Sequence, residues 1–174
     1  PAELREAHSL PGDAEHITFP ESLDLIASAS AIQWFDDLPL FFDKALRALA
    51  PGALLALSSF ADGHFRELQL LTGKPLPYPT PSELSDMAER AGFTVRLCES
   101  RQRILHFATL RDLLHHLRST GVNGRSSAGI HSRQQLADFQ ERYQQTFSSA
   151  GRGLPLHYAP VLLLANKPFS HADS

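Results

Sequence analysis

The chain has 174 residues, of which 43% are apolar and 20% charged, with a net charge of −3; this excludes disordered and collagen-like classes and fits one globular domain. No stretch approaches the roughly 18 uninterrupted apolar residues of a membrane-spanning helix, and the first residues are acidic, so we expect a cytoplasmic protein that does not enter a membrane. The single cysteine, Cys98, excludes an intrachain disulfide and a cysteine zinc site, and no metal is expected.

A strand, a helix and a second strand are predicted in the first third of the chain. The apolar run 23–27 predicts a buried strand. Asp37 is a suitable cap for a helix whose apolar residues recur until Pro51 and Gly52, and 53–58 predicts the next strand. This order is typical of a βαβ unit with parallel strands, so the fold class is α/β.

A helix and a long, interrupted strand are predicted next. Thr80 and Glu83 form a capping box with proline just inside the helix, and Gly92 is placed to end it. The segment 94–107 then predicts a strand, with a break.

Two further helices are predicted in the C-terminal half, over 109–120 and 132–147. Thr109 and Ser132 are their caps, and each helix has one apolar stripe, so we expect the two to pack together as a lid. The Gly- and Ser-rich segment 121–129 predicts a mobile loop, 159–165 predicts a last strand, and 168–174 is expected to fray.

Several motifs, in the correct order, resemble class I S-adenosylmethionine-dependent methyltransferases. They are GDAEHITF at 12–19, LDLIASASAIQW at 23–34 and LAPGA at 49–53. The Gln33-Trp34 pair, HLRSTGVN at 116–123 and LPLHY at 154–158 resemble more narrowly the malonyl-[acyl-carrier protein] O-methyltransferase family of biotin synthesis. Thr18, Ala29 and Ala53 depart from the family's usual Pro, Asn and Gly.

The resemblance covers roughly residues 2–167 and implies a partial Rossmann-like sheet with a helical lid insertion. The expected division is 1–108 for the methyltransferase core, 109–150 for the lid and 151–174 for the final core strand and tail. The family's N-terminal Gly-x-Gly-x-Gly loop has no counterpart here, so the chain is expected to correspond to the C-terminal two-thirds of the enzyme, inactive alone. The strand at 23–27 would then leave an open edge, which we expect a second copy to cover in a homodimer.

The resemblance implies S-adenosyl-L-methionine as cofactor. Asp13 matches the family's acid that accepts a hydrogen bond from the adenine amino group, with Ala14 beside the ring; an ordinary turn aspartate is the alternative. Ser28, Ala29 and Gln33 follow the end of the first strand, where doubly wound sheets bind ligands. A serine there is also a common cap.

The implied acceptor is a malonyl thioester on acyl-carrier protein, whose free carboxylate is methylated. Trp34 is expected to form a wall of the acceptor pocket, or else to pack a helix on the sheet. Tyr158 is expected to donate a hydrogen bond to the carboxylate, and Arg118 or another arginine to hold its charge. A carboxylate acceptor is already ionised, so no catalytic residue is predicted.

Charge supports an acidic partner for the C-terminal half. Residues 1–92 have 6 Lys/Arg against 14 Asp/Glu, whereas 93–153 have 9 Arg against 4 acids. The arginines form no run, so nucleic acid is not expected, and solvated helix faces are the simpler alternative. Two other functions stay open: a methyltransferase with another small acceptor, and a non-catalytic partner-binding fragment, which would not bind the cofactor.

Overall fold

A computed structural model describes residues 9–119, 132–147 and 152–169. The predicted loop 121–129 and most of the predicted tail lie outside this part of the chain. In chain order the described elements are β1 (Leu23–Ala29), a 3₁₀ helix (Ile32–Trp34), α1 (Leu38–Ala48), β2 (Leu49–Phe60), α2 (Arg66–Thr72), α3 (Pro81–Ala91), β3 (Thr94–Ser100), β4 (Arg103–Phe107), α4 (Leu110–Ser119), α5 (Arg133–Phe147), β5 (Leu154–Tyr158) and β6 (Pro160–Asn166).

The main sheet has the strand order β1-β2-β6-β3. β1 and β2 are parallel, whereas β6 runs antiparallel to both β2 and β3. This confirms the mixed α/β sheet with an antiparallel last strand. β1, β2 and β3 therefore end at the same edge of the sheet, which is where polar groups for a ligand are expected to collect.

Local capping chemistry sets the helix starts. Asp37 accepts a hydrogen bond from the Leu40 N–H at the start of α1, and Thr80 and Glu83 form the predicted capping box of α3. The Thr80 hydrogen bonds also hold the pKa of Glu83 below its usual value. Gly92 ends α3 with φ 107°, a conformation that favours glycine. Each of these predicted caps is confirmed.

The predicted strand 94–107 is divided between two sheets, and one strand, β5, was not predicted, whereas the final strand predicted over 159–165 matches β6. The segment 94–107 forms β3 and β4, and the final strand, predicted over 159–165, is preceded by a separate strand, β5. β4 pairs antiparallel with β5 in a second, two-stranded sheet. The chain leaves the main sheet after β3 and enters it at the start of β6 at neighbouring positions. The Arg101 N–H donates a hydrogen bond to the Pro160 carbonyl there.

The chain has two hydrophobic cores. α1 and α3 pack on one face of the main sheet around buried residues that include Phe42, Leu55 and Leu163. The second core combines the stripes of α4 and α5 with α2, which was not predicted, and with β5. The division into a core, a lid over 109–150 and a final strand stays a prediction, and α2 and β5 pack with the proposed lid helices.

Strand β1 lies at an edge of the main sheet. Its expected complete burial is wrong, since Leu25 is 51% exposed on the face opposite α1 and α3. Coverage of this edge by a second copy stays a prediction: light scattering should give about twice the chain mass of 19.2 kDa. Leu25→Lys, which places a charge on the edge strand, should then yield the monomer, and a monomeric parent protein would contradict the prediction.

Candidate functional site

The candidate site lies where β1 and β2 end. Ser28 is half-buried and Ala29 exposed at the last positions of β1. Ser30 follows with φ 51°, and its N–H donates to the Ser58 carbonyl at 2.8 Å, which extends the pairing with β2. A left-handed conformation is uncommon for a residue other than glycine and is often found at functional sites.

Gln33 connects the two strand ends. Its Nε2 donates to the Ser30 carbonyl at 2.6 Å, and its Oε1 accepts a hydrogen bond from Ser59 Oγ at 3.0 Å. Ser59 is buried near the end of β2. Trp34, the next residue, is 40% exposed, so its ring is only partly used in packing the 3₁₀ helix. Its large exposed part leaves it able to contact an acceptor.

Asp13 lies in a tight turn, which agrees with the alternative interpretation of this residue as an ordinary turn aspartate. Its Oδ1 accepts the Glu15 N–H at 2.9 Å, and its carbonyl accepts from the N–H groups of His16 and Ile17. The side chain of Asp13 is 57% exposed. The same carboxylate can therefore stabilise its own turn and still accept a hydrogen bond from a ligand.

Glu15, which the sequence did not single out, attaches this turn to the candidate site. Its buried Oε1 accepts from the backbone N–H groups of Asp36 and Asp37, at 2.8 and 2.7 Å, just after the 3₁₀ helix. Lys44 of α1 donates to the carbonyls of Ala14 and Glu15. The predicted cofactor residues Asp13 and Ala14 are thus fixed relative to Gln33 and Trp34.

An aromatic cluster separates this strand edge from the second core. His64 stacks on Phe60, with ring centroids 3.8 Å apart, and lies 5.0 Å from the ring of Tyr158. Burial lowers the pKa of His64 to about 3, so its ring is neutral at physiological pH. Tyr158 forms a 2.8 Å hydrogen bond with His116 Nε2 of α4. Tyr158 therefore connects α4 to Phe60 at the end of β2.

A buried carboxylate holds the strand that carries Tyr158. Glu67 on α2 accepts the His157 backbone N–H at 3.0 Å through Oε2, and its Oε1 forms a hydrogen bond with His157 Nδ1. Burial, together with the negative charge of Glu67, raises the pKa of Tyr143, whose hydroxyl donates to the Pro155 carbonyl. The helical spacing of Phe65, Leu68 and Leu71 was the available signal for α2.

The structure thus brings most of the predicted site residues to one region. Ser28, Ala29, Gln33 and Trp34 share the strand edge, Asp13 and Ala14 are attached to it through Glu15, and Tyr158 reaches it through Phe60. Arg118 is exposed in the last turn of α4, two positions after His116. The roles assigned to these residues stay predictions.

The part of the chain that the structure describes contains neither a candidate metal site nor a candidate membrane-spanning helix. Within it, no group of three or more His, Cys, Asp or Glu side chains is placed to hold a metal ion. No described helix combines the length and apolar character needed to cross a membrane.

Comparisons with known proteins agree with this arrangement. A family model described as a methyltransferase domain matches residues 2–57. The malonyl-[acyl-carrier protein] O-methyltransferase of Chlorobium phaeovibrioides is 38% identical over 159 residues, which are 91% of this chain and 60% of that protein. The protein of the same name from Bacteroides thetaiotaomicron is 36% identical, covering 94% of this chain and 65% of that protein. The chain therefore spans about three fifths of these curated relatives.

A solved structure shows the same fold. A protein described as a methyltransferase from Bacillus halodurans aligns with a TM-score of 0.62 at 17% identity, over 90% of this chain and 70% of that chain. In its motifs, its relatives and its fold the chain is similar to methyltransferases, and residues 2–57 match the methyltransferase domain family.

Proposed function

We propose that this protein takes part in S-adenosyl-L-methionine-dependent O-methylation of the free carboxylate of a malonyl thioester on acyl-carrier protein, in biotin biosynthesis. The observation that carries the proposal is the 36–38% identity, over nine tenths of this chain, to two proteins named for that reaction. Because the chain spans only part of those relatives, the substrate and partner remain proposals for this chain.

The residues present suit the proposed cofactor. An exposed carboxylate at Asp13 is available to an adenine amino group, and Ala14 beside it is small. Ser28 and Ala29 leave the strand end unobstructed by long side chains, and Gln33 orders the backbone at Ser30. When bound, S-adenosyl-L-methionine supplies an electrophilic methyl group on a sulfonium.

The acceptor needs alignment and desolvation more than proton transfer. A malonyl carboxylate is ionised at neutral pH, so one of its oxygens forms the new O–CH₃ bond while the S–CH₃ bond breaks, and no proton moves. Trp34 would form an apolar wall, and the Tyr158 hydroxyl would donate a hydrogen bond to the carboxylate. Its hydrogen bond with His116 at 2.8 Å orients that hydroxyl.

The C-terminal half suits an acidic carrier protein. Seven arginines in the described part of 101–152 are exposed, among them Arg118 on α4. Complementary charge accelerates the encounter of two proteins and matters most at low salt. In this proposal Arg118 belongs to the surface that meets the carrier.

The proposed function is tested by mass spectrometry of malonyl-acyl-carrier protein incubated with S-adenosyl-L-methionine and the purified protein, extended to the full length of its curated relatives. We expect the acyl group to gain the mass of one methylene. Methylation of free small acceptors only would favour the alternative of another substrate. Absence of cofactor binding in isothermal titration would favour a non-catalytic partner-binding role.

Reversing the charge of Arg118 should separate carrier binding from cofactor binding. In Arg118→Glu, made in a full-length version of the protein, we expect kcat/KM for malonyl-acyl-carrier protein to fall about tenfold at low salt, since rim charges govern association. The affinity for the cofactor should be unchanged in titration. Arg47→Glu, which changes an exposed residue of α1, is the control and should leave both values near those of the parent. Equal losses of carrier use and cofactor affinity in Arg118→Glu would contradict the prediction.

A further inference from the structure

A cavity of about 500 Å³ lies beside the candidate site, on the side of the 3₁₀ helix. It is lined by four parts of the chain: the 3₁₀ helix with the start of α1, the end of β2, the segment 74–79, and α3. Its lining residues include Gln33, Asp36, Ser59, Phe60 and Lys74.

The cavity has the properties of a preformed pocket for a small, largely apolar group. Its volume falls within the range of about 300–1,000 Å³ typical of ligand sites, and most of its lining is apolar. Three prolines in 75–79 restrict the backbone of one wall, which reduces the entropy lost on binding. Gln33 and the buried Ser59, which are hydrogen-bonded to each other, connect it with the strand edge.

Lys74 is the one cation among the lining residues. The other two lysines donate to backbone carbonyls: Lys44 to Ala14 and Glu15, and Lys167 to Leu49. The Lys74 ammonium, in contrast, has no hydrogen-bond or ion-pair partner in the part of the chain that the structure describes. Lys74 is exposed and is one of the lining residues, and an ammonium in such a place is suited to bind an anion on an apolar chain.

Asp36 is the one carboxylate of the same lining. An anion in the cavity is therefore stabilised near Lys74 and repelled near Asp36, so the two side chains together favour one orientation of a charged ligand. Arg118, Trp34 and Tyr158, which the resemblance suggested for the acceptor, are not among the residues that line this cavity, so binding here would replace their contacts with the acceptor.

We propose that this cavity binds the acyl end of the acceptor thioester and that Lys74 pairs with its free carboxylate. The proposal rests on the proposed function and adds the binding site and a specificity-determining residue. Lys74 would distinguish a malonyl group from uncharged acyl groups. Methylation removes the negative charge, so the product ester loses this ion pair and is released more readily than the substrate is.

The experiment compares the binding of three pantetheine thioesters by isothermal titration without cofactor: malonyl, acetyl and the methyl ester of malonyl. The parent protein should bind the malonyl compound about tenfold more tightly than the other two, which corresponds to one charge-assisted hydrogen bond. Lys74→Met should lose this preference, with acetyl binding changed by no more than about twofold. Lys74→Arg should retain most of it, and Arg90→Met, an exposed change on α3, should retain all of it.

Two results would overturn the assignment. One is an unchanged malonyl preference in Lys74→Met, and the other is no binding of the malonyl compound by the parent protein. Methyl transfer to malonyl-acyl-carrier protein, measured separately, keeps the two proposals apart. Transfer with an unchanged preference in Lys74→Met retains the proposed function and rejects the cavity, whereas Lys74-dependent binding without transfer rejects the proposed function and retains the cavity.

Discussion

Replacement of Glu67 by alanine is expected to lower the free energy of unfolding by about 3–5 kcal/mol, the usual cost of breaking a buried pair. The Glu67 side chain is fully buried and accepts hydrogen bonds from both the backbone N–H and the ring of His157. Alanine would leave both donors buried without an acceptor. Urea unfolding followed by circular dichroism measures the loss.

Two variants control for the charge and for the neighbouring ion pair. Glu67→Gln retains an acceptor oxygen in the same place, so we expect a smaller loss of about 1–2 kcal/mol. Arg66→Ala removes the exposed guanidinium whose Nε lies 3.6 Å from Glu67 Oε1, and should cost less than about 1 kcal/mol. If Glu67→Ala cost no more than Arg66→Ala, the buried pair would not support the second core.

Gly153→Ala should destabilise the protein by at least about 2 kcal/mol, because two separate costs combine there. Gly153 has φ 78°, where an L side chain is strained, and a Cβ at this position would lie 2.5 Å from the Phe107 carbonyl oxygen. The backbone of β4 would have to move away from β5. Urea unfolding gives the free energy, and hydrogen exchange of 103–107 and 154–158 should show the loss of protection in this sheet.

Gly73→Ala is the matched control for the conformational cost alone. Gly73 also has a positive φ, 66°, but no atom lies within 4 Å of the position that a Cβ would take. Its replacement should cost only about 1 kcal/mol, the strain of the left-handed conformation. Equal effects of the two substitutions would show that contact with Phe107 does not matter.

Much of the candidate site was predictable because its residues lie close together along the chain. Ser28, Ala29, Gln33 and Trp34 follow one strand, and the carboxyl end of a parallel strand is where an α/β sheet binds ligands. The motif resemblance added Asp13 and Ala14. Their connection through Glu15 was not predictable, because the Glu15 carboxylate accepts from backbone groups 21 and 22 positions away.

The sequence by itself determined the α/β class, the capped helices α1 and α3, and the similarity to methyltransferases. These features depend on local hydrogen bonds, on the spacing of apolar residues along the sequence and on motifs, all of which involve residues close together in the chain. Only the tertiary structure decided how 94–107 and 154–166 are divided between two sheets, because a strand's partner is chosen by distant packing. It likewise decided that Glu67 pairs with His157, 90 positions away, and that Lys74 borders a cavity, since burial and charge pairing arise only when distant segments meet.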